Sequence, residues 1–240
     1  MKNDTETIDI NAEIGLGFEG ENTVHEEKAA KRATSVSIAC GLHGGDPDTM
    51  RRCVDFAVKH NLIVGASIGL PNLMGLGDMG LAPKKISPKK SYAQTLFQIG
   101  ALSAFAKAAE TSLQQVKLYG PLYEASIKDS ELADAITSAL VNVAPDLLVL
   151  GPANSELLLA AKKTGLPTAI EIPIADALSD GGEDQLGQLA ASVTSGDVAS
   201  ISIDSGQEYA VMKLDELRRA LHKAGISPAP LVTSAQSFPL

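Results

Sequence analysis

Strand-like and helix-like segments alternate seven times along this chain, and that rhythm leaves few folds open. Thr7 to Ile14 begins it, with Ile8, Ile10, Ala12 and Ile14 on one face and Asp9, Asn11 and Glu13 on the other. Short apolar runs predict further strands from Val36 to Cys40, Leu62 to Ile68, Gln115 to Tyr119, Leu147 to Leu150, Thr168 to Ile174 and Val198 to Asp204. Helical spacing and cap residues predict helices from Glu26 to Ala33, Asp46 to His60, Ser87 to about Glu110 and Asp129 to Val143. Three more are predicted: one capped by Asn154 and closed by Gly165, one from Asp184 to Val193, and one from Lys213 to Ala224.

Strict alternation implies parallel strands joined by right-handed crossovers. Closed, they make a seven- or eight-stranded β/α barrel of the TIM type; open, a doubly wound sheet. The barrel is preferred because polar residues recur at the carboxyl ends of the strands: Asn11 and Glu13, His43, Ser67, Lys117 and Tyr119, Glu171, and Asp204. A barrel gathers such ends into one mouth, whereas an open sheet concentrates them at a switch point. The 240 residues fit one large domain with ample length for a core, and the chain from Pro228 onward reads as a loose tail. The Gly- and Pro-bearing stretch from Gly69 to Ile86 is long enough to be a functional lid.

A formal charge of −9 argues against nucleic acid or an anionic membrane as partner, since both need a basic face. No apolar run approaches the ~18 residues of a membrane span. The polar start Met1-Lys-Asn-Asp-Thr-Glu6 does not read as a signal peptide, so a cytoplasmic location is expected. Cys40 and Cys53 suggest no disulfide framework.

The stretch from Ser35 to Met50 concentrates the chemistry. A short strand runs into a bend containing Gly41, Gly44 and Gly45, and the bend carries His43. Asp46 and Pro47 then open a helix, which places His43 beside free helix amides at the end of a strand.

Several stretches together resemble a known family. Asp9-Ile-Asn-Ala-Glu-Ile-Gly-Leu-Gly17 resembles Asp-Leu-Asn-x-Asp-x-Gly-Glu-Gly, and Ile38-Ala-Cys-Gly-Leu-His-Gly-Gly-Asp46 resembles Ile-Ala-Cys-Gly-Phe-His-Ala-Gly-Asp. Gln98-Ile-Gly-Ala-Leu102 and Val116-Lys-x-x-Gly-x-Leu-Tyr123 match in the same order. On these motifs the chain resembles the LamB/YcsF family. The resemblance implies a barrel like those of the glycoside hydrolase/deacetylase superfamily. It also implies ATP-dependent opening of the 5-oxoproline lactam to glutamate, carried out together with 5-oxoprolinase B and C subunits. The chain has no Gly-x-x-x-x-Gly-Lys-Ser/Thr loop, so ATP is expected on the partner subunits.

The chain also departs from the family pattern. Gly65-Ala-Ser-Ile68 stands for Gly-Ala-His-Pro, Lys117-Leu-Tyr-Gly120 for Lys-Pro-His-Gly, Ala175-Asp-Ala177 for Ala-Asp-Arg, and Asp204-Ser-Gly206 for His-Gly-Asp. Ser37 replaces an Asn and Leu16 a Glu. His43 is left as the mouth's only histidine, so a zinc site built from several histidines is not expected. Asp9, Glu13, His43 and Asp204 form a weak set for a harder cation.

His43 with Asp46 is expected as a general acid/base pair, Asp46 otherwise being only a helix cap. Lys117 is expected to neutralise an acyl-phosphate or the substrate carboxylate, or else to bridge to Glu171 or Asp9. Asp9, Asn11, Glu13, Tyr119 and Glu171 are candidates for holding the substrate; Asp9 and Asn11 are alternatively buried polar residues that fix the first strand. Tyr123 reads as packing, Cys40 as core, and His25, His60 and His222 as solvent-facing helix residues. Three readings follow: an active lactamase component of the A type, which could form a homo-oligomer, a scaffolding or regulatory paralogue that has lost turnover, and a deacetylase-like hydrolase with a carboxylate-rich metal site.

Overall fold

The alternation in β1 (Thr7–Ile14) separates two buried environments rather than core from solvent: every residue after Thr7 is buried. Ile8, Ile10, Ala12 and Ile14 join the apolar layer beneath the helices. Asp9, Asn11 and Glu13 instead meet polar side chains from neighbouring strands. A closed barrel supplies both surroundings, an outer face under helices and an inner face lined by the other strands.

The computed structural model describes residues 6–17, 23–71, 86–178 and 189–231. In them β1, β2 (Ser35–Ala39), β3 (Ile63–Ile68), β4 (Gln115–Leu118), β5 (Leu148–Gly151), β6 (Thr168–Pro173) and β7 (Ser200–Asp204) pair in chain order, all parallel. β7 returns to β1 from Asp9↔Ser200 to Glu13↔Asp204, while β2 takes the other edge of β1 from Asn11↔Ser35 upward. The sheet therefore closes with seven strands, and the open doubly wound alternative falls away. Side chains on the inward register are mostly small, including Ser35, Ser37, Gly65, Ser67, Ser200 and Ser202. Such residues leave a narrow barrel room for the few long polar ones.

Helices α1 (Thr23–Ala30), α2 (Pro47–Lys59), α3 (Pro88–Ala108), α4 (Gly120–Ser126), α5 (Ser130–Val143), α6 (Glu156–Lys163) and α7 (Ile174–Ala177) lie between the strands, followed by helical residues 189–194 (α8) and α9 (Ala210–Lys223). Their starts follow from the cap residues. Asp46 accepts from the Asp48 and Thr49 amides, Ser87 from Lys90 and Asp129 from Leu132. Among the described residues no helix is long and apolar enough to cross a membrane.

Several elements differ from the sequence expectation. α1 begins before Glu26 and ends at Ala30, where the Arg32 and Ala33 amides turn back to the Ala29 and Ala30 carbonyls. Asn154 does not cap α6: it takes a left-handed φ of 58°, and Ser155 Oγ accepts from the Leu158 amide instead. α4 is absent from the sequence expectation, because Gly120-Pro121 reads as a strand end and not as a helix start. Ser227–Pro228 form β8, so the tail begins with a pairing rather than loosely. Most of the stretch expected to be a lid, residues 72–85, and the first part of the helix expected from Asp184 lie outside the described residues.

Candidate active site

Glu13, Lys117 and Glu171 project inward from β1, β4 and β6 and meet near the strands' carboxyl ends. The Lys117 ammonium lies 3.3 Å from Glu171 Oε2 and 3.8 Å from Glu13 Oε1, and all three side chains are buried. One positive charge thus faces two carboxyls. Burial pushes Glu13 up, to about 7; Lys117 opposes this, while the charges of Glu171 and Asp204 add to it. Burial works against the Lys117 charge too, but Glu13 and Glu171 outweigh it and hold the ammonium above its ordinary range. Ser67 Oγ donates to Glu13 Oε1 at 3.1 Å. Glu171 Oε2 has an ion-pair contact but no aligned hydrogen-bond donor. The expected bridge from Lys117 to Glu171 is present, and its second acid is Glu13 rather than Asp9.

Asp9 and Asn11 sit deeper, nearer the start of β1, and both are fully buried. Ser37 donates to Asn11 Oδ1, Asn11 Nδ2 to Ser35 Oγ, and Ser35 to Asp9 Oδ2, at 2.9, 2.8 and 2.9 Å. Ser200 and Thr34 also donate to Asp9, at 2.7 and 2.6 Å. Burial raises the Asp9 pKa, and these hydroxyl donors oppose the rise. The chain of donors ties β1 to β2 and β7, which is the strand-fixing alternative drawn from the sequence.

His43 stands on the bend after β2, its ring against Tyr119, two residues along the chain from Lys117. Gly45 makes the bend possible: its φ is 76°, and a Cβ there would collide with the Ala39 carbonyl. The imidazole stacks on Tyr119, with ring centres 4.7 Å apart and planes 18° apart. Neither ring nitrogen has an aligned hydrogen bond. Burial pushes His43 down to about 4, with the nearby Gln98 amide working weakly the other way, so the ring is neutral at pH 7. Asp46 does not face the imidazole as an aligned partner: its oxygens accept from the Asp48 and Thr49 amides and from Thr49 Oγ1, all at the start of α2.

The fold thus groups Glu13, Lys117 and Glu171, sets His43 against Tyr119, and places Asp9 and Asn11 below and Asp46 at a cap. Asp204 accepts from the Gly206 amide and Gln207 Nε2 in a turn. Asp9, Glu13, His43 and Asp204 do not converge, and among the described residues no three His, Cys, Asp or Glu side chains are arranged to hold a metal ion. Tyr123 is half-buried near Lys117 and Glu171, and burial pushes it up to about 12. His25 and His222 are exposed, while His60 is half-buried against Phe56. Sequence reasoning missed Glu26, which reaches from α1 to accept the Gly15 and Leu16 amides at 2.9 and 3.2 Å. Its partners are backbone groups, which leave no side-chain pattern to read.

The LamB/YcsF family model matches residues 8–196. The chain belongs to the LamB/YcsF family. It is 43% identical over 166 residues to the 5-oxoprolinase A subunit of Geobacillus kaustophilus (strain HTA426), which is 69% of this chain and 63% of that relative's length. The chain therefore spans less than two thirds of that relative. A solved lactam utilization protein from Thermus thermophilus superposes with a TM-score of 0.79 at 28% identity, over 94% of this chain and 100% of that one. The catalytic domain of peptidoglycan N-acetylglucosamine deacetylase from Eubacterium rectale ATCC 33656 shares the barrel alone, with a TM-score of 0.51 at 11% identity over 99% of this chain and 93% of that one. Within the LamB/YcsF match lie Glu13, His43, Lys117 and Glu171, whereas Asp204 falls beyond it.

Proposed function

We propose that this LamB/YcsF chain is the A-type component of an ATP-dependent lactamase that opens 5-oxoproline, or a related cyclic amide, to the amino acid. The observation that carries the reading is the buried trio of one ammonium and two carboxyls, with a neutral imidazole stacked on Tyr119, two residues along the chain from Lys117. An amide is too stable to yield to such groups alone, so partner subunits of B and C type would bind ATP and activate the lactam oxygen by phosphorylation. The name of the Geobacillus relative supports this assignment.

In this reading His43 takes a proton from the attacking water, because only a neutral imidazole can accept one. Lys117 stabilises negative charge as it develops on oxygen. As the ring C–N bond breaks, the protonated form of Glu13, which titrates near neutrality, gives its proton to the departing nitrogen. The open-chain acyl phosphate that remains takes up a second water and releases inorganic phosphate. Glu171 and Tyr119 hold the ligand against these groups. Asp46 acts through the α2 cap that ends the His43 bend, and Asp9 and Asn11 act through the strand ladder.

A second reading, a scaffolding or regulatory paralogue without turnover, is favoured by Ser67 and Tyr119 standing where the family pattern has histidines. Mixing the chain with B and C subunits and following 5-oxoproline-dependent ATP hydrolysis and glutamate release separates the two. Lactamase function requires both rates to depend on this chain and to collapse in His43→Ala. Equal rates with and without the chain would leave only the scaffold.

A further inference from the structure

The His43 imidazole is set chiefly by packing: the Gln98 amide lies close enough to act on its protonation, yet neither ring nitrogen makes an aligned hydrogen bond. Catalytic histidines are commonly oriented by a carboxylate or carbonyl on one ring nitrogen, but here neither nitrogen has such a partner. Tyr119 covers the ring face. Gly69, the residue after β3, crowds the ring: a Cβ at that position would lie 2.6 Å from Nδ1 and 2.8 Å from Cγ. Gly69 is not among the glycines with positive φ, so contact with the imidazole, not backbone conformation, excludes a side chain there.

Gly69 is itself fixed from α3. Gln98 Oε1 accepts the Gly69 amide at 2.9 Å, and Gln98 Nε2 donates to the Gly69 carbonyl and to the Gln94 carbonyl, both at 3.1 Å. Gln98 is fully buried, so no water competes for these bonds. The Tyr119 amide donates to the Ile68 carbonyl at 2.9 Å. Both surfaces that touch the ring are therefore attached to the end of β3, and Gln98 is the side chain that fixes that end.

We propose that Gln98 is a positioning residue for His43: by binding both backbone groups of Gly69 it holds the wall that sets the imidazole's orientation against Tyr119. An arrangement of this kind orients a ring without committing either nitrogen to an aligned hydrogen bond. Its consequence for turnover rests on the lactamase reading given above; its consequence for the ring does not.

The test uses the whole chain carrying 13C-labelled histidine, with the His43 signals assigned by their loss in His43→Gln. Stacking on Tyr119 is expected to shift the His43 ring C–H signals upfield of those of the exposed His25 and His222. In Gln98→Met, which keeps the length and removes the amide, these signals are expected to move toward the exposed positions. In Gly69→Ala, with Gln98 intact, the added methyl is expected to displace the ring and move them as well, which covers the case of a Gln98 variant that does not fold. Unchanged His43 signals in either folded variant overturn the proposal. With B and C subunits present, Gln98→Met is expected to lower kcat by roughly 10- to 100-fold with little change in KM. Shifted signals in a chain without lactam-dependent turnover uphold the clamp and count against the lactamase reading alone.

Discussion

Lys117 shows how few charges decide the character of this cup. Replacing it by Met leaves Glu13 and Glu171 facing each other in a buried space. At pH 7.5 the loss should be about 3–5 kcal/mol in urea unfolding, the range for breaking a buried pair, and smaller at pH 5, where Glu13 carries its proton. Glu13 itself sets a pH dependence. Its folded pKa, about 7, lies above its ordinary 4.5, so between those values the folded chain keeps a proton that the unfolded chain has lost. Its contribution to stability is full below about 4.5 and is lost as pH rises through 7, by an amount on the order of 3 kcal/mol. His43 runs the other way: its folded value near 4 lies below 6.5, so stability rises with pH between them. The opposing slopes mask each other in the native chain. Glu13→Gln removes only the first, so its stability relative to the native chain should climb from pH 4.5 to pH 8. A flat difference across that window would show that Glu13 titrates as an ordinary carboxyl.

At the scale of elements, the cap at Asp46 ties a helix start to the bend that carries His43. Asp46→Ala loses an acceptor for two amides and a hydroxyl and should cost about 1–2 kcal/mol. Asp46→Asn keeps an acceptor for the amides and should cost less than about 1 kcal/mol, with lactam turnover retained if the residue works as a cap. Normal stability with abolished turnover in Asp46→Asn would return Asp46 to the acid/base role expected from sequence. Caps of this sort were legible because Asp46-Pro47 and Ser87-Pro88 combine an acceptor with a residue suited to the first turn. Asn154 and Ser155 are both cap formers side by side, and only tertiary packing selects Ser155. The inward face of β1 was legible from its alternation, whereas the depths of its acids were not. Depth depends on strand stagger, which puts Glu13 with Lys117 and leaves Asp9 among hydroxyls. Gln98 was visible only as part of a motif, because its partner is the backbone of a distant glycine.

Closure of the whole barrel depends on β1, which is shared by more strands than any other among the described residues. β7 covers one edge from Asp9 upward, but β2 pairs with the other edge only from Asn11. The Ile10 carbonyl on that edge is taken by the Thr34 amide, and the Ile8 carbonyl by the Ala229 amide. β8 therefore fills the place beneath β2 that the stagger leaves open, adding a bond from the Ser227 amide to the Glu6 carbonyl. A chain ended after Ile226 should lose these two bonds and leave the Ile8 carbonyl without its partner at the barrel's foot. The expected cost is about 1–3 kcal/mol in urea unfolding, with no change in the His43 ring signals, since Asp9 to Glu13 keep their register through β7 and β2. Movement of the His43 signals in that shortened chain would mean that the foot of β1 governs the mouth, and that the seven-stranded ring does not hold its register without β8.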